Sequence, residues 1–104
     1  MRNLQFTVNG QRLSKVGDFS NIVKGTKEYL KCNFTFEGND WIGHKAVAIF
    51  SGNGKAEFAT AIMSDGTCMV PNEVTDYTSF KLRLIGARDN SRITTNTVLI
   101  SQEG

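Results

Sequence analysis

The side chains equipped for chemistry are few: one histidine, His44, two cysteines, Cys32 and Cys68, and ten acidic residues. Nucleophilic hydrolysis would need a serine or cysteine beside His44, and glycoside cleavage would need two carboxylates facing one substrate. No Gly-x-Ser-x-Gly run marks a strained nucleophile. The acids stand singly in turn-like stretches, where carboxylates serve backbone N–H groups. Zinc needs closely spaced ligands, and neither Cys-x-x-Cys nor His-x-x-x-His occurs. Gly52-Asn53-Gly54-Lys55 looks like part of a phosphate loop, but it lacks the later Gly-Lys-Ser/Thr and leads into a strand-like segment. Asn33-Phe34-Thr35 fits the glycosylation pattern inside an alternating segment and is read as a chance match. The expectation is a protein without catalytic residues, metal or cofactor, with His44 at the entrance to a strand.

The elements that would position these residues are marked by turn signals. Asn9-Gly10, Gly17-Asp18, Lys24-Gly25, Gly38-Asn39-Asp40, Gly52-Asn53-Gly54, Asp65-Gly66, Pro71-Asn72 and Asp89-Asn90-Ser91 leave short segments between them. Segments of about 5–11 residues suit strands and crowd out ordinary helices. Leu30, Cys32, Phe34 and Phe36 alternate with Lys31, Asn33, Thr35 and Glu37, and Phe80, Leu82 and Leu84 alternate with Lys81 and Arg83. That period of two puts Phe34, Phe36, Phe80 and Leu82 inside. Trp41 leads into Lys45–Phe50, apolar on both faces, which implies a central strand or an interface. Trp41 and Phe50 complete the expected core anchors. Lys55–Met63 reads as a strand closing consecutive hairpins, although its alanines would tolerate a helix. Asn53-Gly54 is expected to need positive backbone angles, and Leu13–Lys24 is expected to be irregular chain bridging two sheets. The result is one all-β domain over 1–104, a sandwich or small barrel of about seven or eight antiparallel strands. Residues 1–8 form an extended N-terminal arm or the first strand.

Size and charge narrow the partners. At 104 residues the chain can build a core without metals or disulfides. Its net charge of +2 implies neither nucleic acid nor an anionic membrane. Lys81, Arg83, Arg88 and Arg92 fall close together in sequence and are read as a solvated face, with single-strand nucleic-acid binding the weaker alternative. The longest apolar run, Ala46–Phe50, is far short of the roughly 18 residues of a membrane span. Synthesis and folding in a cytoplasm are expected, so Cys32 and Cys68, both in strand-like segments that could be neighbours, are read as free buried thiols, with a bridge between them the weaker alternative.

The order of these features resembles the immunoglobulin-like N-terminal domain of phage baseplate upper proteins and related small sandwich modules of tailed-phage structural proteins. The shared elements are Val23-Lys24-Gly25-Thr26, the strand Leu30–Phe36, Trp41–Phe50, Asp65–Pro71, Phe80–Gly86 and the threonine-rich close Thr94–Ile100. Tyr77 stands where such sandwiches place a corner tyrosine, but Ser79 replaces the cysteine expected two residues later. The resemblance implies an immunoglobulin-like β-sandwich in the virion, assembled in a bacterial cytoplasm and bound to other phage proteins in a symmetric homo-oligomeric array. A baseplate, tail or fibre adaptor is the first reading; a capsid decoration or head-fibre protein and a carbohydrate-binding receptor module are the alternatives. Related proteins continue into long fibrous regions, so a piece of such a protein and a free-standing module both remain open. The expected partner contacts are Phe6 in the N-terminal arm, Asn39, Asn53 and Lys55 in turns, and Arg88 and Arg92 in a loop. Trp41 is read as a core anchor, with a role as an exposed sugar platform the weaker alternative.

Overall fold

The computed structural model describes residues 1–104, which form nine strands and one short 3-10 turn at Asn72–Val74. The strands are β1 (Arg2–Asn9), β2 (Arg12–Val16), β3 (Leu30–Glu37), β4 (Lys45–Ser51), β5 (Glu57–Ala61), β6 (Thr67–Met69), β7 (Ser79–Arg88), β8 (Ser91–Thr94) and β9 (Val98–Ser101). One sheet has the order β2-β1-β3-β6; the other runs β5-β4-β7, with β8 and β9 both pairing β7 in succession. The expected β-sandwich is therefore present, with nine strands where seven or eight were counted. The alternation of β1, β3, β4 and β7 turns one set of side chains inward from each sheet. Leu4, Phe6, Val8, Leu30, Cys32 and Phe34 thus meet Ala48, Phe50, Phe80, Leu82, Leu84 and Ile100 in a single core. Of the expected anchors, Trp41, Phe34, Phe50, Phe80 and Leu82 are buried, and Phe36 is half-buried against them.

In the chain's first quarter one alternative is decided and three expectations are corrected. Of the two readings of residues 1–8, arm or first strand, the first strand is the one present. β1 is an inner strand, antiparallel to β2 but parallel to β3, so the sheet is mixed where only antiparallel pairing was expected. Phe6 is only 1% exposed. It stacks on Phe34 with ring centroids 5.2 Å apart and meets Phe19 edge-on, which withdraws it from the candidate contacts. Within Leu13–Lys24, residues up to Val16 belong to β2; an edge strand that buries only Leu13 shows no alternation to read.

Two later turns also differ from expectation. β5 does form, yet β6 pairs with β3, so the Asp65-Gly66 turn carries the chain between sheets and closes no hairpin. The β4–β5 hairpin turns through Gly52–Ala56 with neither Asn53 nor Gly54 at positive φ. Gly66 does need φ +83°, and an added Cβ would lie 2.8 Å from the Phe34 carbonyl oxygen. Asp65 accepts bonds from the Thr67 hydroxyl at 2.7 Å and its backbone N–H at 3.2 Å, and the hydroxyl above all holds this carboxyl below the ordinary aspartate range. Tyr77 makes no corner hydrogen bond through its hydroxyl; its ring lies over Gly52, where a Cβ would overlap the ring carbons Cδ2 and Cε2.

Cys32 and Cys68 are directly opposed across β3 and β6, and both are buried free thiols. A thiol hydrogen bond with Cys68, reinforced by burial, pushes the Cys32 thiol well above the ordinary cysteine range. Linkage gives the sign of the pH effect. Below about pH 8.5 the thiol keeps its proton in both states and contributes no pH dependence. Above that pH the unfolded chain releases a proton that the folded chain retains, so stability falls as pH rises toward the folded value. The free energy of unfolding measured in urea is expected to be level near neutrality and to fall from about pH 8.5 to 10, with a limiting slope near 1.4 kcal/mol per pH unit. Cys32→Ala is expected to be less stable but to lose most of that alkaline slope; an equally steep slope in the variant would contradict the assignment.

Candidate functional site

The two sheets are sealed together along one side and parted along the other. On the sealed side Asn96, between β8 and β9, presents its amide to β2 as a strand would. Its Oδ1 accepts from Leu13 N at 2.7 Å, and its Nδ2 donates to Leu13 O at 3.1 Å. Asn96 N also donates to Gln11 O at 3.1 Å, and Lys15 Nζ to Leu99 O at 2.9 Å. At the far end of the core, Gln102 Nε2 donates to the carbonyls of Tyr77 at 2.8 Å and Thr75 at 3.3 Å.

On the opposite side a cleft of about 620 Å³ opens between the end of β3, the start of β4 and the end of β5. Its walls include Phe36, Trp41, Ile42, Ala46, Ile62 and Met63, with His44 and Lys45 at the polar margin. Trp41 forms the floor. Its Nε1 donates to Gly10 O at 2.8 Å, and its ring packs 5.3 Å from Phe36 and against the bare Cα of Gly86. That hydrogen bond satisfies the indole's polar atom, so an otherwise apolar ring is fixed in place. Ile42 and Met63 are each 64% exposed at the mouth. Two large apolar side chains flanking a greasy recess are the arrangement that receives an apolar group from outside. Buried as it is, Trp41 offers no open face for a sugar to stack upon.

A polar hollow lies around the corner from the cleft. It gathers Asn39, Asp40, His44, Arg88, Ser91 and Arg92. Arg88 folds back on the preceding loop, where its Nη1 donates to Ile42 O at 3.2 Å. His44 stands at the entrance to β4, with Nε2 3.2 Å from Ser91 Oγ, a pairing with no signature in the spacing of the residues. Its Nδ1 is buried without a hydrogen-bond partner. A catalytic serine–histidine pair needs an acceptor on that second nitrogen to fix tautomer and orientation. The pair therefore has the spacing of a catalytic dyad but not its support.

The expected contact residues separate into three places. Asn39, Arg88 and Arg92 meet in this hollow at one end of β4. Asn53 and Lys55 lie in the loop beyond the other end of that seven-residue strand, about 20 Å away by strand rise. Phe6 is in the core. The basic residues do not form one patch either, because Arg83 is engaged by Glu57 at 3.1 Å on the outer face of the sheet. The cleft was not anticipated as a site. Its one trace in the sequence is the doubly apolar β4, whose Ala46 and Val47, from opposite faces, both line it. No protein-family model matches the chain, and neither does a curated protein or a solved structure.

Proposed function

We propose that this protein is a structural or attachment module of a bacteriophage particle, acting through protein–protein contacts and not through catalysis. The observation that carries the reading is the apolar cleft on the parted side of the sandwich, with Ile42 and Met63 exposed at its mouth. A rigid two-sheet frame holding such a recess open suits the capture of an apolar side chain from a neighbouring subunit. Repetition around a symmetric particle would then turn a modest contact into a durable one through avidity. The resemblance of the Trp41–Phe50 and Phe80–Gly86 segments to tailed-phage sandwich modules points to the same setting, with a baseplate, tail or fibre adaptor as the first assignment.

The test is immunogold electron microscopy of particles purified from a lysate of the host. Gold at one reproducible position, whether tail tip, fibre or shell, is the expected result and identifies the location. Unlabelled particles, with the protein recovered only in the soluble fraction, would refute the proposal.

A further inference from the structure

The lateral edges of the two sheets are not treated alike. An exposed edge strand presents free N–H and C=O groups, and proteins blunt it with proline, lysine, shortness, bulges or a covering segment. β2 and the β8–β9 side cover each other through the Asn96 amide and Gln11. β6 is three residues long and is followed, one residue on, by the only proline, Pro71. β5 has no such device. Its five residues, Glu-Phe-Ala-Thr-Ala, include neither proline nor lysine, and its register with β4 runs without a bulge. The lone charge, Glu57, is engaged by Arg83.

The direction of the free groups follows from one bond. Ile62 N donates to Ala46 O at 3.0 Å, so Phe58, Thr60 and Ile62 direct their backbone groups to β4. The groups of Glu57, Ala59 and Ala61 therefore point away from the sheet, and none has a backbone partner within the chain. Ala59 and Ala61 are exposed, small and uncharged, so nothing on the outer face obstructs an approaching strand.

We propose that β5 is a self-pairing edge: a second copy of the chain adds its own β5 antiparallel, about a two-fold axis at Ala59, joining two five-stranded sheets into one. The free groups are symmetric about Ala59, so setting Glu57 opposite Ala61 of the other copy pairs all of them at once. Each Glu57 then faces an alanine, both Glu57–Arg83 ion pairs persist, and no like charges are opposed. A strand of unrelated sequence could pair with the same edge, but only a second β5 brings this complementarity with itself. The pairing is a property of the chain in solution, independent of whether the protein resides in a virion.

Sedimentation equilibrium of the full chain from about 1 to about 500 µM tests it, spanning the affinities expected of a small interface. The wild type is expected to approach twice the 11.5 kDa of one chain at the upper end. Ala59→Pro removes an outward N–H without touching a bond to β4, a setting in which an edge strand tolerates proline. It should remain at single-chain mass with an unchanged far-ultraviolet spectrum. Should that variant lose its fold, Ala59→Lys places two like charges opposite each other at the axis and is expected to weaken association by at least about tenfold. A wild type of single-chain mass throughout, or a folded Ala59→Pro or Ala59→Lys that associates like the wild type, would overturn the proposal.

Discussion

Trp41→Ala is expected to remove about 3–5 kcal/mol from the free energy of unfolding, the range for emptying a buried aromatic site. The size follows from where the ring lies. It is 7% exposed, it packs on Phe36 and His44, and it rests against Gly86 near the end of β7. Deleting it would also strand the Gly10 carbonyl, which now accepts the indole N–H at 2.8 Å. Because Trp41 floors the cleft, collapse around the vacancy can recover only part of the loss. Urea unfolding followed by far-ultraviolet dichroism measures it, and a change below about 1 kcal/mol would contradict a packed indole. Trp41→Phe separates the two contributions: it keeps most apolar area but forfeits the hydrogen bond, so about 1–2 kcal/mol is expected. Gly86→Ala attacks the same contact from the other strand, since its Cβ would lie 2.5 Å from Cζ3 of the indole.

Much of this arrangement was legible in the sequence, and the boundary of legibility has a physical cause. Alternation reports which side chains face inward, so β3 and β7 and their anchors Phe34, Phe80 and Leu82 could be read directly. Alternation does not report which strand lies alongside which. Leu4, Phe6 and Val8 have the same period in a free arm as in β1, and only the fold shows β1 parallel to β3. β2 escaped notice because an edge strand that buries a single leucine has no second face to contrast. The cleft and the β5 edge are relational as well: Phe36, Trp41 and Ile62 converge because β5 and β6 belong to different sheets. The apolar character of both faces of β4 was the one feature that pointed outward from the core. Val47 and Ile49 are only half-buried, on the outer face of the sheet whose free edge is β5.

Thr95→Val, nearly isosteric, is expected to cost about 2–3 kcal/mol, because it removes a hydroxyl that repairs a break in the central sheet. β7 is paired along Ile85–Arg88 by β8 and along Ser79–Leu82 by β9, and Leu84 lies where one neighbour gives way to the other. A buried N–H at such a crossover has no strand carbonyl to meet and must find another acceptor. Thr95, itself buried, supplies it: Leu84 N donates to Thr95 Oγ1 at 2.9 Å, while Thr95 N donates to Leu84 O at 3.0 Å. The same hydroxyl donates a hydrogen bond to Asn96 O at 2.9 Å, which links the repair to the residue whose amide seals β2. Valine fills the space but leaves Leu84 N unpaired in the core, where water cannot replace the lost acceptor. Thr95→Ser keeps the hydroxyl and should stay within about 1 kcal/mol of the wild type. Equal stability of the valine and serine variants in urea would show that the hydroxyl is dispensable and that the crossover is held by packing alone.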